Sequence, residues 1–234
     1  MNHNFQTVSK PFPRHEAAAK ASGKAVYTND ICLPGMVYGM ILRSPYAHAK
    51  VLSIDLSEAE EMDEFLGAVL PEEVPDKLYN SSGNPPSPLL LKDEKILTDH
   101  PLCVGDRILA IAAETPAALR KAASRIQIRY ELLPAANTME EALAPASAPI
   151  QPHLSDTNIL AERVAEQGDT EKGFLEADFI FEDDFHTSPM QHVALEPTSC
   201  ICDFSDGVHL NIWSNSQTPY QERRILAELF SISE

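Results

Sequence analysis

A compact strand–helix–strand pattern near the middle of the chain constrains the fold more than any other feature of the sequence. Residues 107–113 (RILAIAA) form a nearly continuous apolar run, which is short enough for a strand covered on both faces. Thr115 and Pro116 are typical of a helix start, and apolar residues then recur at helical spacing. Residues 126–130 (IQIRY) alternate with period two. The pattern therefore predicts a strand, a helix and a strand, the right size for a compact crossover unit.

Further strands and short helices are predicted on both sides of this unit. The predicted strands cover residues 36–42, 52–56, 179–185, 198–204 and 208–213, and the predicted helices begin near Ser57, Thr138, Thr170 and Thr218. Thr138 and Glu141 have the spacing of a capping box, as do Thr218 and Gln221. Ser205-Asp206-Gly207 separates the last two strands, which favours a hairpin. This mixture of strands and helices predicts the α+β class.

An Ala- and Pro-rich stretch at residues 142–152 (ALAPASAPIQP) has the composition of a linker. We interpret it as a boundary between two domains.

The charge balance excludes several partners. With 18 basic and 35 acidic residues, the net charge is −17, which should repel nucleic acid and anionic lipid. The sequence has no apolar run suited to a signal peptide or a membrane span, so we expect no membrane partner and a cytoplasmic location.

The four cysteines have no zinc or iron–sulfur spacing, and reduced core residues are the simpler interpretation. A metal pair at Cys200 and Cys202 is the alternative, because residues at i and i+2 of a strand face the same side.

Gln217 is the most informative polar residue, because it lies at a predicted strand-to-helix corner. Strand ends and helix starts converge at such corners, and ligands commonly bind there. A glutamine amide can donate to an oxo or phosphate oxygen without adding charge. The alternative is a side chain that merely ties down the turn.

Other candidates have equally simple structural explanations. His192 and Glu196 form either an acid–base pair or a structural contact. His48, near Arg43, belongs either to a polar site or to a strand-end hydrogen bond. The acidic triplet at residues 182–184 is either a solvated strand end or a set of metal ligands. Nucleotide-binding and nucleophile motifs such as G-x-G-x-x-G, the P-loop and G-x-S-x-G are missing from the sequence.

The order of short motifs along nearly the whole chain resembles the large molybdopterin subunit of the xanthine dehydrogenase and aldehyde oxidase family. The matching motifs are Gly23–Tyr27 with Asp30, Leu33–Gly35, Arg43–Ala49, Val104–Asp106, Ala112–Thr115, Tyr130–Pro134, Gly168–Asp169, Glu176–Asp178, His192 with Leu195–Pro197, and Trp213–Pro219. Each motif is short, but their shared order and spacing are specific.

The resemblance implies an α/β-hammerhead domain at residues 18–132, a linker at 133–152 and the opening, incomplete part of a molybdopterin-binding domain at 153–234. It also implies that Gln217 hydrogen-bonds an oxo ligand of molybdenum, which the pterin holds without a protein ligand. The implied reaction is hydroxylation of purines or related N-heterocycles with oxygen from water. Iron–sulfur clusters and FAD would lie on partner subunits or segments.

The family's Gly-rich cofactor loop, substrate-orienting residues and catalytic glutamate would all lie beyond Glu234. We therefore expect no catalytic residue within this chain, no activity from the chain alone, and an apolar face on the last helix that seeks a partner. The remainder of the molybdenum subunit, the iron–sulfur and FAD subunits and a small-molecule substrate are the implied partners. The alternatives are a non-catalytic assembly module, or a relative of aldehyde oxidase or carbon monoxide dehydrogenase.

Overall fold

A computed structural model describes residues 7, 8, 10–82, 91–159 and 161–234. The strands within these residues are β1 (Tyr38–Arg43), β2 (Ala49–Asp55), β3 (Phe65–Val69), β4 (Arg107–Ala113), β5 (Gln127–Leu132), β6 (Cys200–Asp203) and β7 (Asn211–Ser214). The α-helices are α1 (Ala17–Ala21), α2 (Ser57–Glu60), α3 (Pro116–Arg125), α4 (Met139–Leu143), α5 (Thr170–Glu176) and α6 (Pro219–Phe230). The chain forms two compact units: residues 35–188 with 220–234, and residues 1–34 with 189–219.

The core of the larger unit surrounds strand β4. This strand pairs antiparallel with β1 on one side and β3 on the other, and β2 pairs antiparallel with β5. Ile108 and Leu109 are completely buried, and Ala118 and Leu119 of α3 join the same cluster. The apolar run of β4 thus provides a strand covered on both faces, as predicted.

The crossover prediction is wrong, although its three elements are present. Strands β4 and β5 belong to different sheets, and the strand pairings among the described residues are all antiparallel. The alternating pattern of β5 matches that of β2, so each strand of this pair leaves one side exposed.

Helix α3 begins as predicted, because the Thr115 hydroxyl accepts a hydrogen bond from the N–H of Ala118 at 3.1 Å. Helix α2 begins at Ser57, as predicted, but the Ser57 side chain does not cap it. Its N–H and hydroxyl both donate to the Asp55 carboxylate, at 3.0 and 2.7 Å.

Strand β3 was not predicted, because its sequence FLGAV does not alternate. Gly67 has a φ of 140° and lies at a register shift between β3 and β4. A bulge that needs a left-handed backbone explains both the glycine and the broken pattern.

The strand predicted at residues 179–185 is wrong. Residues 177–199 contain neither a helix nor a strand. Alternation gives this segment the side-chain pattern of a strand, but a strand also needs a neighbour for its backbone groups. No such neighbour lies in the part of the chain that the structure describes.

The smaller unit contains the predicted hairpin of β6 and β7. Cys200 pairs with Ser214 and Cys202 pairs with Ile212. At the turn, the Asp206 carboxylate accepts hydrogen bonds from the N–H groups of Val208 and His209, both at 2.8 Å. Gly207, with a φ of 69°, provides the left-handed residue that this turn requires.

Candidate functional site

Gln217 lies in a corner whose other residues are held by hydrogen bonds. Strand β7 ends at Ser214 and helix α6 begins at Pro219. The Asn215 side chain donates to the carbonyl of Pro197 at 3.3 Å, across 18 residues of sequence. The Ser216 hydroxyl accepts from the N–H of Thr218 at 3.0 Å. These two bonds position the backbone on both sides of Gln217.

The Gln217 side chain is exposed. Within the described residues, its amide makes no hydrogen bond that would tie down the turn. Asn215 and Ser216 hold the corner instead, so the amide of Gln217 is available to a ligand. Residues 213–219 (WSNSQTP) carry no charge, which means that no neighbouring carboxylate in this loop repels an anionic oxygen.

The capping box predicted for α6 is wrong, although the helix starts at Pro219 as expected. The Gln221 side chain donates to the carbonyl of Ser81 at 3.0 Å and is only 6% exposed. The N–H of Thr218 donates instead to the Ser216 hydroxyl. The Gln221 side chain thus bonds a residue 140 positions away in sequence rather than the start of its own helix.

Helix α6 is held within the larger unit by its C-terminal half. Lys77 donates to the carbonyl of Glu228 at 2.9 Å and to the hydroxyl of Ser231 at 2.7 Å. Lys92 forms an ion pair with the Glu228 carboxylate. The apolar face expected to seek a partner is partly covered, because Ala227 and Leu229 are buried while Tyr220 and Phe230 remain exposed.

His48 and Arg43 both hydrogen-bond the backbone. The Nδ1–H of His48 donates to the carbonyl of Pro134 at 2.5 Å, and Arg43 donates to the carbonyl of Gly105 at 2.8 Å. Both residues also line an open cleft of about 940 Å³ within the larger unit. The backbone contacts account for these two side chains without a ligand.

His192 and Glu196 do not form the acid–base pair considered from the sequence. His192 is exposed, and no hydrogen bond joins the two side chains among the residues described. The acidic residues 182–184 are also exposed. The described ranges contain no group of three or more His, Cys, Asp or Glu side chains that could hold a metal ion.

The interpretation of the four cysteines as core residues is wrong, because all four are exposed. Cys200 and Cys202 face the same side of β6. A hydrogen bond between the two side chains is the main cause that raises the pKa of Cys202 strongly. The neutral thiol therefore dominates at physiological pH.

Two features of this region were missed in the sequence. The sequence does not reveal the anchoring role of Asn215, because its partner, the carbonyl of Pro197, lies 18 residues away in sequence. The Ser199 hydroxyl is buried and has no hydrogen-bond partner among the described residues. Such a buried hydroxyl without a partner is uncommon in folded proteins.

Relatives identify both segments of the chain. Residues 22–134 match the family described as "Aldehyde oxidase and xanthine dehydrogenase, a/b hammerhead domain", and residues 152–234 match "Molybdopterin cofactor-binding domain". The expected α+β class, with a hammerhead followed by the beginning of a cofactor-binding domain, is confirmed. No helix in the described residues is both long and apolar enough to cross a bilayer.

Two curated relatives align with nearly the whole chain. A probable xanthine dehydrogenase subunit from Bacillus subtilis is 31% identical over 222 residues, which cover 94% of this chain and 28% of the relative. The nicotinate dehydrogenase large molybdopterin subunit of Eubacterium barkeri is 30% identical over 233 residues, which cover 99% of this chain and 52% of the relative. This chain thus spans about a quarter to a half of their length.

A solved structure supports the same assignment. The aldehyde oxidoreductase from Desulfovibrio gigas superimposes with a TM-score of 0.84 and 25% identity, over 94% of this chain and 25% of that one. Together with the two family matches, this similarity shows that the chain belongs to the xanthine dehydrogenase and aldehyde oxidase family.

Proposed function

We propose that this chain forms the hammerhead and part of the cofactor-binding region of a molybdenum hydroxylase large subunit. Its Gln217 amide donates a hydrogen bond to an oxo ligand of the molybdenum. The observation that carries the proposal is the unbonded amide of Gln217, exposed on a corner that Asn215 and Ser216 hold in place. This corner lies in the segment that matches the molybdopterin cofactor-binding family.

The residues at the corner fit this cofactor chemically. An oxo ligand carries negative charge and accepts hydrogen bonds, so a neutral donor without nearby carboxylates suits it. Residues 213–219 provide that environment in a chain whose net charge is −17.

The bound cofactor would supply the oxidative hydroxylation of a ring carbon in a purine or related N-heterocycle, with water as the oxygen source. The chain's own part is to hold a hydrogen-bond donor in a fixed orientation at the cofactor. We assign no catalytic residue to this chain and propose that it is inactive alone. Its partners are the remainder of the molybdenum subunit, iron–sulfur and FAD subunits and a small-molecule substrate, in the cytoplasm.

We propose residues 18–132 as the hammerhead domain, 133–152 as the linker and 153–234 as the cofactor-binding part. A heterocyclic substrate is favoured because the two curated relatives are named for xanthine and nicotinate. An aldehyde remains the competing substrate class, because the superimposed structure is an aldehyde oxidoreductase.

A non-catalytic assembly module is the second candidate. It is favoured by the exposed apolar side chains at residues 174–185, which are typical of an interaction surface rather than of a catalytic one.

Molybdenum content measured by elemental mass spectrometry separates the two candidates. The chain is purified alone and together with the neighbouring subunits. The hydroxylase proposal expects metal in the assembly and none in the isolated chain. An assembly that forms without molybdenum, after expression in cells that make the cofactor, would identify the chain as an assembly module.

A further inference from the structure

Two thiols lie side by side on one face of the β6–β7 hairpin. Cys200 and Cys202 are two residues apart on strand β6, so both side chains point to the same side. Both are exposed, and neither is in a disulfide. The two side chains are in hydrogen-bonding contact. Neither thiol takes part in the two hydrogen bonds that position the corner at Gln217.

Strand geometry keeps the two cysteines too far apart for a direct disulfide. Alternate residues of an extended strand have Cα atoms about 6.4–6.8 Å apart, and their Cβ atoms are about as far apart because both point the same way. A disulfide needs Cβ atoms about 3.5–4.5 Å apart. All four residues of β6 pair with β7, so a disulfide would distort the ladder. The pair is therefore suited to an atom that bridges the two sulfurs.

A metal ion between the sulfurs fits this spacing. Two metal–sulfur bonds of about 2.3 Å in a straight line place the sulfurs about 4.6 Å apart. Two cysteine side chains that lean towards each other from alternate strand positions reach that separation. Thiolate sulfur is a soft ligand and selects soft cations such as copper(I). Two thiolates in line complete the coordination of such a monovalent ion.

Zinc and iron–sulfur clusters need more ligands than this pair supplies. Structural zinc is held by four protein ligands, and iron–sulfur clusters are typically held by four cysteines. Within the described ranges, no further His, Cys, Asp or Glu joins the two thiols to form a larger ligand group. A two-coordinate ion is the one that the available ligands satisfy.

The charge around the pair also favours a cation. Ser214 pairs with Cys200 and Ile212 pairs with Cys202 across the hairpin, so these four side chains share one face. That face carries no lysine or arginine that would form an ion pair with a thiolate. The net charge of −17 attracts cations to the chain as a whole.

We propose that Cys200 and Cys202 form a two-coordinate site for a soft monovalent cation, of which copper(I) is the biologically available example. Binding forms two metal–sulfur bonds and releases the two thiol protons to solvent, with no change in oxidation state. Gln217 takes no part in this site, which therefore does not depend on the proposed function.

The test is competition for copper(I) between the purified chain and bicinchoninate, a chromogenic copper(I) chelator, under anaerobic conditions with ascorbate as the reductant. The variants Cys200→Ser and Cys202→Ser each remove one sulfur. Cys32→Ser and Cys103→Ser are the matched controls, because each removes an exposed thiol elsewhere in the chain. Silver(I) is titrated in parallel as a redox-inert probe. Circular dichroism melting establishes that all four variants fold as the unmodified chain does.

We expect the unmodified chain and both controls to retain one copper(I) or silver(I) per chain. Each β6 variant should bind at least about 100-fold more weakly, because the second thiolate acts at a high effective concentration when the first is already bound. A smaller loss in either β6 variant would overturn the inference. An equal loss in Cys32→Ser or Cys103→Ser would also overturn it, since binding would then be adventitious only.

X-ray absorption spectroscopy of the copper-loaded unmodified chain tests the geometry without any variant. The expected spectrum contains two sulfur scatterers and the edge feature of two-coordinate copper(I). Nitrogen or oxygen scatterers, or three or more sulfurs, would contradict the site. Zinc(II) supplied in place of copper(I) should be removed by a weak chelator, and retention of zinc with equal affinity would contradict a soft monovalent occupant.

Discussion

Strand β4 and the segment at residues 174–185 have similar local sequence patterns and opposite structures. Both are short and rich in large apolar residues, yet Ile108 and Leu109 are completely buried whereas Phe181 is 93% exposed. β4 has antiparallel neighbours on both sides and helix α3 packed against it. Residues 179–185 have no strand neighbour in the described ranges. An apolar pattern thus becomes a core strand only where the chain also provides a partner for its backbone.

The largest expected effect is the difference in unfolding free energy between variants that truncate one side chain in each region. Leu109→Ala should lower the free energy of unfolding by about 2–5 kcal/mol, because it leaves a cavity in the core. Phe181→Ala should change it by less than about 0.5 kcal/mol, because this ring is almost fully exposed. Urea unfolding followed by circular dichroism measures both values. Comparable losses in the two variants would mean that Phe181 belongs to a packed core.

Helices α3 and α4 show the same contrast between a buried and an exposed element, because each is capped by a threonine. The hydroxyls of Thr115 and Thr138 each accept a backbone N–H at 3.1 Å. Helix α3 contributes three residues to the core, and α4 buries none. Thr115→Ala should therefore cost about 1 kcal/mol of unfolding free energy, and Thr138→Ala should cost only a small fraction of that. Equal effects in urea unfolding would show that α4 is coupled to the core.

The β6–β7 hairpin supplies its own strand partner, and its turn should respond to acid. Hydrogen bonds lower the pKa of Asp206 to about 2 from an ordinary value of 3.8. The largest contributions come from the backbone N–H groups of His209 and Val208, and a smaller one comes from the His209 ring. Because the folded pKa is depressed, the stabilisation is complete above pH 3.8 and is lost as the pH falls towards 2.

Carbon-13 NMR of the Asp206 carboxyl measures this titration directly. The midpoint should lie near 2, and the turn amides should shift over the same pH range. Asp206→Asn keeps an acceptor oxygen without the charge and should abolish that pH dependence. A midpoint near 3.8 would contradict the hydrogen bonding seen at the turn.

The smallest expected effect concerns the two thiols of β6. The hydrogen bond with Cys200 is the largest contribution that raises the pKa of Cys202. Cys200→Ala should therefore lower this pKa and speed alkylation of Cys202 by iodoacetamide several-fold at mildly alkaline pH. Peptide mass spectrometry reads the rate, with Cys32 as the internal reference. An unchanged rate would show that the two thiols do not interact in solution.

Local patterns predicted the elements whose causes are local. Helix α5 spans residues 170–176 as expected, and the hydroxyls of Thr115 and Thr138 cap their helices. Elements that depend on distant partners were predicted less well. The bulge at Gly67 concealed β3, and no pattern within residues 179–185 shows whether a neighbouring strand exists.

The candidate site also combines features that are determined locally with contacts between residues distant in sequence. The corner that contains Gln217 follows from the local order of strand, turn and helix. The anchoring bond from Asn215 to Pro197 and the contact from Gln221 to Ser81 join residues far apart in sequence. Neither could be inferred from spacing, because only the folded chain brings those atoms together.

The role of Gln217 is tested most directly by turnover of the molybdenum-loaded assembly carrying Gln217→Ala. Gln191→Ala is the matched control, as Gln191 is also exposed in the smaller unit. Loss of a hydrogen bond to a charged oxygen should reduce kcat/KM roughly 10- to 100-fold, while molybdenum content stays unchanged and Gln191→Ala turns over normally. Unaltered kcat/KM in a fully loaded Gln217→Ala assembly would contradict a contact between this amide and the molybdenum oxo ligand.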